Sequence, residues 1–186
     1  YTVYYKVSRD NYKSVSGSYV VKINKAKLDI TIKNQETVYG ETFSLDKTLY
    51  SVSGNDYNIL SYTLACAYEV GNNAGKYPIE LTIGSKSETR SDATQNFEIT
   101  MNSATLTVNK AELSVVVNPT FVMYGEEFTL DVNDLTVSGL YKADDIANIV
   151  TLTTDYAADN SHVVGGEYYV YCALKSENGN YTLADG

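Results

Sequence analysis

Apolar and polar positions alternate along much of this chain. From Tyr1 to Val7 every odd position is apolar or aromatic, and the same pattern returns as Tyr77, Ile79, Leu81, Ile83 and again as Tyr168, Val170, Cys172, Leu174. Residues two apart share one face of a strand, so each run predicts a strand with that face turned to a core. Further strands are predicted over Tyr19–Ile23, from Lys27 with Leu28, Ile30 and Ile32 inward, from Leu113 with Val115 and Val117 inward, over Leu60–Ala67 and over Thr151–Tyr156. Helical spacing is confined to Lys142–Val150, where Ile146, Ile149 and Val150 follow Asp144 and Asp145, and it predicts one or two turns at most.

The pattern also repeats at longer range. Asn11-Tyr12 returns as Asn96-Phe97, Asn24-Lys25-Ala26 as Asn109-Lys110-Ala111, Tyr39-Gly40-Glu41 as Tyr124-Gly125-Glu126, and Val52-Ser53-Gly54 as Val137-Ser138-Gly139, all 85 residues apart. Over 24–54 and 109–139, thirteen of thirty-one positions are identical, which points to duplication of one fold. A period of this length is a small domain rather than a solenoid unit. The predicted organisation is residues 1–25 as the closing strands of a preceding repeat, 26–110 as a complete repeat domain, and 111–186 as a second repeat domain without its last strand. The glycine of each Tyr-Gly-Glu turn predicts a backbone with positive φ. An open edge in the last copy would expose unpaired backbone, and residues 1–25 of a neighbouring molecule are expected to fill it by head-to-tail strand addition. Only Asn24–Lys27 joins one unit to the next, too short for a free coil, so neighbouring units are expected at a restricted angle.

A chain with 44% hydrophobic residues can build real cores. Its formal charge of −9 comes from 23 acidic and 14 scattered basic residues, which excludes a phosphate-binding face and with it nucleic acid. Apolar runs are far shorter than the roughly 20 residues that span a bilayer, so no membrane insertion is expected. Cys66 and Cys172 fall on different strands of the two copies, which argues against pairing between them, and read as small buried hydrophobes rather than reactive or metal-binding thiols. With Tyr77 and Tyr168 as anchors, Cys172 takes the place of Leu81.

Asn-Lys-Ala before an alternating strand, then Tyr-Gly-Glu, Val-Ser-Gly-Leu, Gly-Glu-Tyr and Asn-Tyr, resembles the MBG-type repeats of the YGX class, across the whole chain and in phase. These recur in large bacterial cell-surface and secreted proteins. The resemblance implies an extracellular, array-forming β domain of adhesin-like proteins, cell-surface attached or secreted, and carries no catalytic residues with it.

Reactive chemistry finds little purchase. The single histidine, His162, lies in the loop Asp159-Asn-Ser-His162 with no counterpart in the first copy, and reads as a solvated loop residue rather than a general base. Glu126, Glu127, Asp144, Asp145 and Asp155 could supply a carboxylate pair, but nothing fixes their separation, and they read as solvating charge. Asp131, Asn133 and Asp134, with Asp144-Asp145, offer hard oxygen ligands without calcium-loop spacing, and only Asp46 echoes Asp131. Gly165-Gly166 with Gly125 lacks the Gly-Lys-Ser/Thr of a phosphate loop. Tyr169 and Tyr171 share the outward face of their strand, where the first copy has Pro78 and Glu80; such a pair can stack on a sugar or anchor a partner, or simply strengthen the sheet.

The expected fold is therefore all-β: tandem small β domains, immunoglobulin-like sandwiches in preference to a β-grasp-like mixed sheet with one short helix. The expected role is a structural stalk or spacer, with neighbouring repeats as partners, no cofactor, no metal and no enzymatic activity. The alternative is a module that recognises a glycan or host surface protein.

Overall fold

The computed structural model describes residues 1–86, 92–157 and 165–184. In chain order its strands are β1 (Thr2–Val7), β2 (Val15–Val20), β3 (Ala26–Ile32), β4 (Gln35–Val38), β5 (Tyr50–Gly54), β6 (Leu60–Cys66), β7 (Gly75–Ser85), β8 (Phe97–Met101), β9 (Ala104–Asn109), β10 (Ala111–Val117), β11 (Leu135–Ser138), β12 (Val150–Thr154), β13 (Val170–Leu174) and β14 (Tyr181–Leu183). The fold is mainly β, in several sheets. Helical structure among the described residues is limited to short 3₁₀ turns, and the Lys142–Val150 spacing yields the turn Ile146–Asn148.

The described residues group into two compact units. The first draws on Tyr1–Ile32, Tyr50–Thr63 and Leu81–Asn102, the second on Lys33–Leu49, Leu64–Glu80 and Ser103–Gly186.

In the first unit β3 is the middle strand of a sheet ordered β5-β3-β8. It pairs antiparallel with β5, Ile30 opposite Val52, and parallel with β8, Leu28 opposite Ile99. Its burial alternates strictly, with Leu28, Ile30 and Ile32 inside. Leu28 and Leu60, both fully buried, pack with Ala93 and Phe97, and Val52, Ile59, Tyr62 and Ile83 close around them. Removing each leucine side chain from water contributes on the order of 2–3 kcal/mol.

The hairpin β1–β2 departs from expectation. Its second strand starts at Val15 rather than Tyr19, because β1 zips onto the nearest downstream residues, Val7 opposite Val15 through Thr2 opposite Val20. The odd face of β1 meets no core either: Tyr1, Tyr5 and Val7 are exposed. A two-stranded ribbon has no second layer to cover it.

In the second unit β9 lies between β4, with which it is parallel, and the Gly75–Ile79 part of β7, with which it is antiparallel. Leu106 and Val108 of β9 and Ile79 of β7 are buried. A second sheet, β11-β10-β14, and the pair β12-β13 complete the unit.

The duplication is visible in the pairing. Ile30 faces Val52 across β3 and β5, and Val115 faces Val137 across β10 and β11, the same register 85 residues on. β3 has a parallel neighbour in β8, as β10 has in β14. At the end of each antiparallel pair stands a glycine with positive φ, Gly54 and Gly139, on which a Cβ would sit 2.5 Å from the Lys27 carbonyl oxygen and 2.1 Å from that of Glu112. Gly40 and Gly125, in the two Tyr-Gly-Glu turns, have φ of 84° and 80°, as the sequence requires.

The copies differ in one hairpin. Lys86 N–H donates to the Ile59 carbonyl, and Lys175 N–H to that of Ile149. Near the opposite end, Tyr68 meets Tyr77 and Tyr156 meets Tyr168, edge to face, each pair with centroids 5.4 Å apart. Both arms are thus two residues longer in the first copy, from Ile59 to Tyr68 and Tyr77 to Lys86, than in the second, from Ile149 to Tyr156 and Tyr168 to Lys175. Counted from the tyrosines Cys172 matches Leu81; counted from the lysines it matches Ile83.

Candidate functional site

A hydrogen-bonded side-chain cluster in the second unit is built from segments far apart in sequence. Tyr39, at the Tyr-Gly-Glu turn after β4, is 6% exposed. Its ring meets Tyr141 edge to face at 5.7 Å and Tyr181 at 5.4 Å. Its hydroxyl donates to Asp144 Oδ2 at 3.0 Å, and the Tyr181 hydroxyl donates to the same oxygen at 2.6 Å. The Tyr181 hydroxyl in turn accepts the backbone N–H of Tyr141 at 2.9 Å. Asn180, beside Tyr181, accepts the Ala74 N–H at 2.8 Å and donates to the Asn73 side chain at 3.0 Å. Gly40 is required here: a Cβ on it would lie 2.8 Å from the Tyr141 ring, at a φ that side-chain-bearing residues rarely adopt.

The electrostatics follow from this geometry. Burial first, then the hydrogen bond and charge of Asp144, push the Tyr39 hydroxyl up to about 12. The same causes push Tyr181 well above the ordinary tyrosine range. Both phenols stay neutral donors, and one carboxylate serves two of them, so that the three side chains form a clasp.

The carboxylates singled out in the sequence are brought to no common cleft. Asp144 sits in the clasp. Asp145 caps the Ile146–Asn148 turn by accepting the Ala147 N–H, and Asp131 caps Val132–Asp134 by accepting the Asn133 N–H. Asp46 does the same for Thr48, and these bonds hold its carboxyl below the usual range. Asp155 accepts the Tyr169 N–H at 2.7 Å. Glu126 offers its backbone carbonyl to the Tyr156 hydroxyl, repeating the bond from Tyr68 to Glu41. Among the described residues no three His, Cys, Asp or Glu side chains converge as a metal site. His162 and Asp159 lie outside the described residues. Cys66 and Cys172 are both free thiols and partly buried, and burial pushes that of Cys172 up.

Tyr169 and Tyr171 do stand together on the exposed face, centroids 6.5 Å apart and rings inclined at 42°. Tyr169 also lines an open groove of about 840 Å³, between residues 117–125 and 165–170, of which the residue pattern carries no direct sign. Met123 and Tyr124 on its wall are 72% and 60% exposed. The clasp was missed as well. Its one sequence trace is that Asn96-Phe97 recurs not only upstream but as Asn180-Tyr181, with tyrosine in place of phenylalanine where a hydroxyl is needed.

No protein-family model, curated protein or solved structure matches the chain.

Proposed function

We propose that this chain is a run of structural spacer repeats from a surface-exposed, adhesin-like protein, positioning other parts of that protein outside the cell. The observation that carries this reading is the clasp. Tyr39 comes from the first copy of the repeat, Tyr141, Asp144 and Tyr181 from the second, and partly buried hydrogen bonds to a shared carboxylate join them. A partly buried network that gathers three segments on one carboxylate favours a fixed geometry, because a shift of any segment breaks a hydrogen bond. The use of Asp145, Asp131 and Asp46 as turn caps agrees with a scaffold role, as does the resemblance to MBG-type repeats. A spacer is tested by substitution in the intact protein on its native surface. Replacing these residues with an unrelated β module of equal length should preserve adhesion, while plain deletion should lower it. Adhesion lost with the unrelated module would contradict the spacer reading.

One observation favours a second reading. Tyr169, stacked beside the exposed Tyr171, lines the groove, and aromatic faces beside a groove suit a sugar ring or a protein partner. Glycan-array binding that disappears when both are changed to Ser would support it; no binding by the unaltered chain would end it.

A further inference from the structure

Asn178-Gly179 is the one Asn-Gly pair in the sequence, and it stands just ahead of the clasp residue Tyr181. The Asn178 side chain is folded back over the residues that follow it. Its Oδ1 accepts the backbone N–H of Asn180 at 3.0 Å and that of Tyr181 at 3.2 Å. The intervening N–H, of Gly179, donates to no protein group among the described residues. Gly179 is exposed, and nothing lies within 4 Å of the place a Cβ would take.

We propose that Asn178 is a modification site at which the folded chain converts itself to isoaspartate, and that this conversion loosens the clasp. The Gly179 nitrogen, giving up its proton to water, attacks Asn178 Cγ. A C–N bond forms, the Cγ–Nδ2 bond breaks, and ammonia leaves with a proton returned from water. Water then opens the resulting succinimide at either carbonyl, giving aspartate or isoaspartate. Glycine eases the attack, because no side chain crowds its nitrogen. Negative charge develops on Oδ1 in the tetrahedral intermediate, where the Asn180 and Tyr181 N–H groups already point. The fold thus stabilises that charge as an oxyanion hole does.

Isoaspartate routes the main chain through the former side chain, lengthening it by one carbon and taking Oδ1 from its place. Asn180 and Tyr181 then lose their shared acceptor. Asn180 in turn holds Ala74 and Asn73 with its side chain and the Ala111 N–H with its carbonyl, while Tyr181 is one of the two phenols on Asp144. A lengthened turn therefore displaces both sets of contacts. The first copy is an internal control. There Asn96-Phe97 stands for Asn180-Tyr181, preceded by Thr94-Gln95, so that copy has neither the convertible pair nor the clasp hydroxyl.

Peptide mapping by mass spectrometry tests this, on chain held at neutral pH either folded or unfolded in urea, with isoaspartate told from aspartate by electron-transfer fragmentation. Conversion should appear first at Asn178, and at least about threefold faster in the folded chain. Gly179→Ala, which the open space around Gly179 accommodates, should slow it at least about tenfold by crowding the attacking nitrogen. In converted, folded chain the late transition of the Tyr39 phenol should fall towards the ordinary tyrosine range. Asn178→Asp keeps the backbone length and the acceptor, and should leave that transition in place. Conversion slower in the fold than in urea, or unchanged in Gly179→Ala, overturns the site. A converted chain whose Tyr39 transition has not moved overturns its link to the clasp.

Discussion

The hydroxyl of Tyr39 donates to the carboxylate of Asp144 at 3.0 Å, across 105 residues of chain. Tyr181 donates to the same oxygen at 2.6 Å, so one aspartate holds two phenols drawn from opposite ends of the second unit. Changing Asp144 to Ala should therefore cost more than removing either hydroxyl. Hydrogen bonds to a charged group are worth about 1.5–3 kcal/mol each; Tyr39→Phe removes one of them, whereas Asp144→Ala removes the acceptor of both. Denaturant titration of both single variants and the double variant checks this. The two losses should be non-additive, since the same bond is removed twice. Additive losses would mean that Tyr39 and Asp144 do not act together.

The clasp also sets an alkaline limit. In the fold Tyr39 is pushed from the ordinary 10 up to about 12, and Tyr62, hydrogen-bonded to Asp56, likewise to about 12. The folded state thus holds these protons more tightly than the unfolded chain. Their contribution to stability is complete below pH 10 and is lost as pH rises from 10 towards about 12. Ultraviolet titration of the phenols should show a late-ionising group whose transition coincides with unfolding. In Asp144→Asn the Tyr39 transition should move down, yet stay above 10, because burial is the larger cause.

How much of this was legible in the chain divides along physical lines. The copies, the alternating strands and the positive φ of Gly40 and Gly125 are local or periodic properties, and periodicity at 2 and at 85 residues can be counted. The parallel pairings of β3 with β8 and β4 with β9 cannot, because a crossover connection imposes no pattern on the strands it joins. Asp144 was read as solvating charge for the same reason: its partners, Tyr39 and Tyr181, are distant, and nothing around it differs from a surface loop. The odd face of β1 has the alternation of a core strand and still faces solvent, which shows that such a pattern states what a strand can bury rather than what covers it.

Glycine replacements separate strain from mere exposure. Gly54→Ala and Gly139→Ala would drive a Cβ to 2.5 Å and 2.1 Å from a carbonyl oxygen, at φ of +105° and +83°, and each should destabilise by more than about 1 kcal/mol. At Gly179 a Cβ meets nothing within 4 Å and φ is not in the left-handed region. Gly179→Ala should therefore be neutral or stabilise by up to about 1 kcal/mol, through the unfolded chain. Thermal melts of the three variants give the comparison, and equal losses at all three sites would refute the close-approach argument.

Core truncation should follow burial. Leu28 and Leu106 are both 0% exposed, in the first and second units, and Leu→Ala at either should cost about 2–5 kcal/mol. Val116→Ala, at an outward position of β10, should change stability by less than about 0.5 kcal/mol. Chemical denaturation at one wavelength and one temperature suffices for all three.

The most direct measurement is proton NMR of the aromatic rings. Tyr39 lies against both Tyr141 and Tyr181, with centroids 5.7 Å and 5.4 Å away, so cross-relaxation peaks should connect the Tyr39 ring to each of them. The Tyr181 hydroxyl, bonded to Asp144, should be protected from exchange with water. A Tyr39 ring without peaks to either residue, with fast-exchanging hydroxyls throughout, would contradict the clasp and the spacer role built on it.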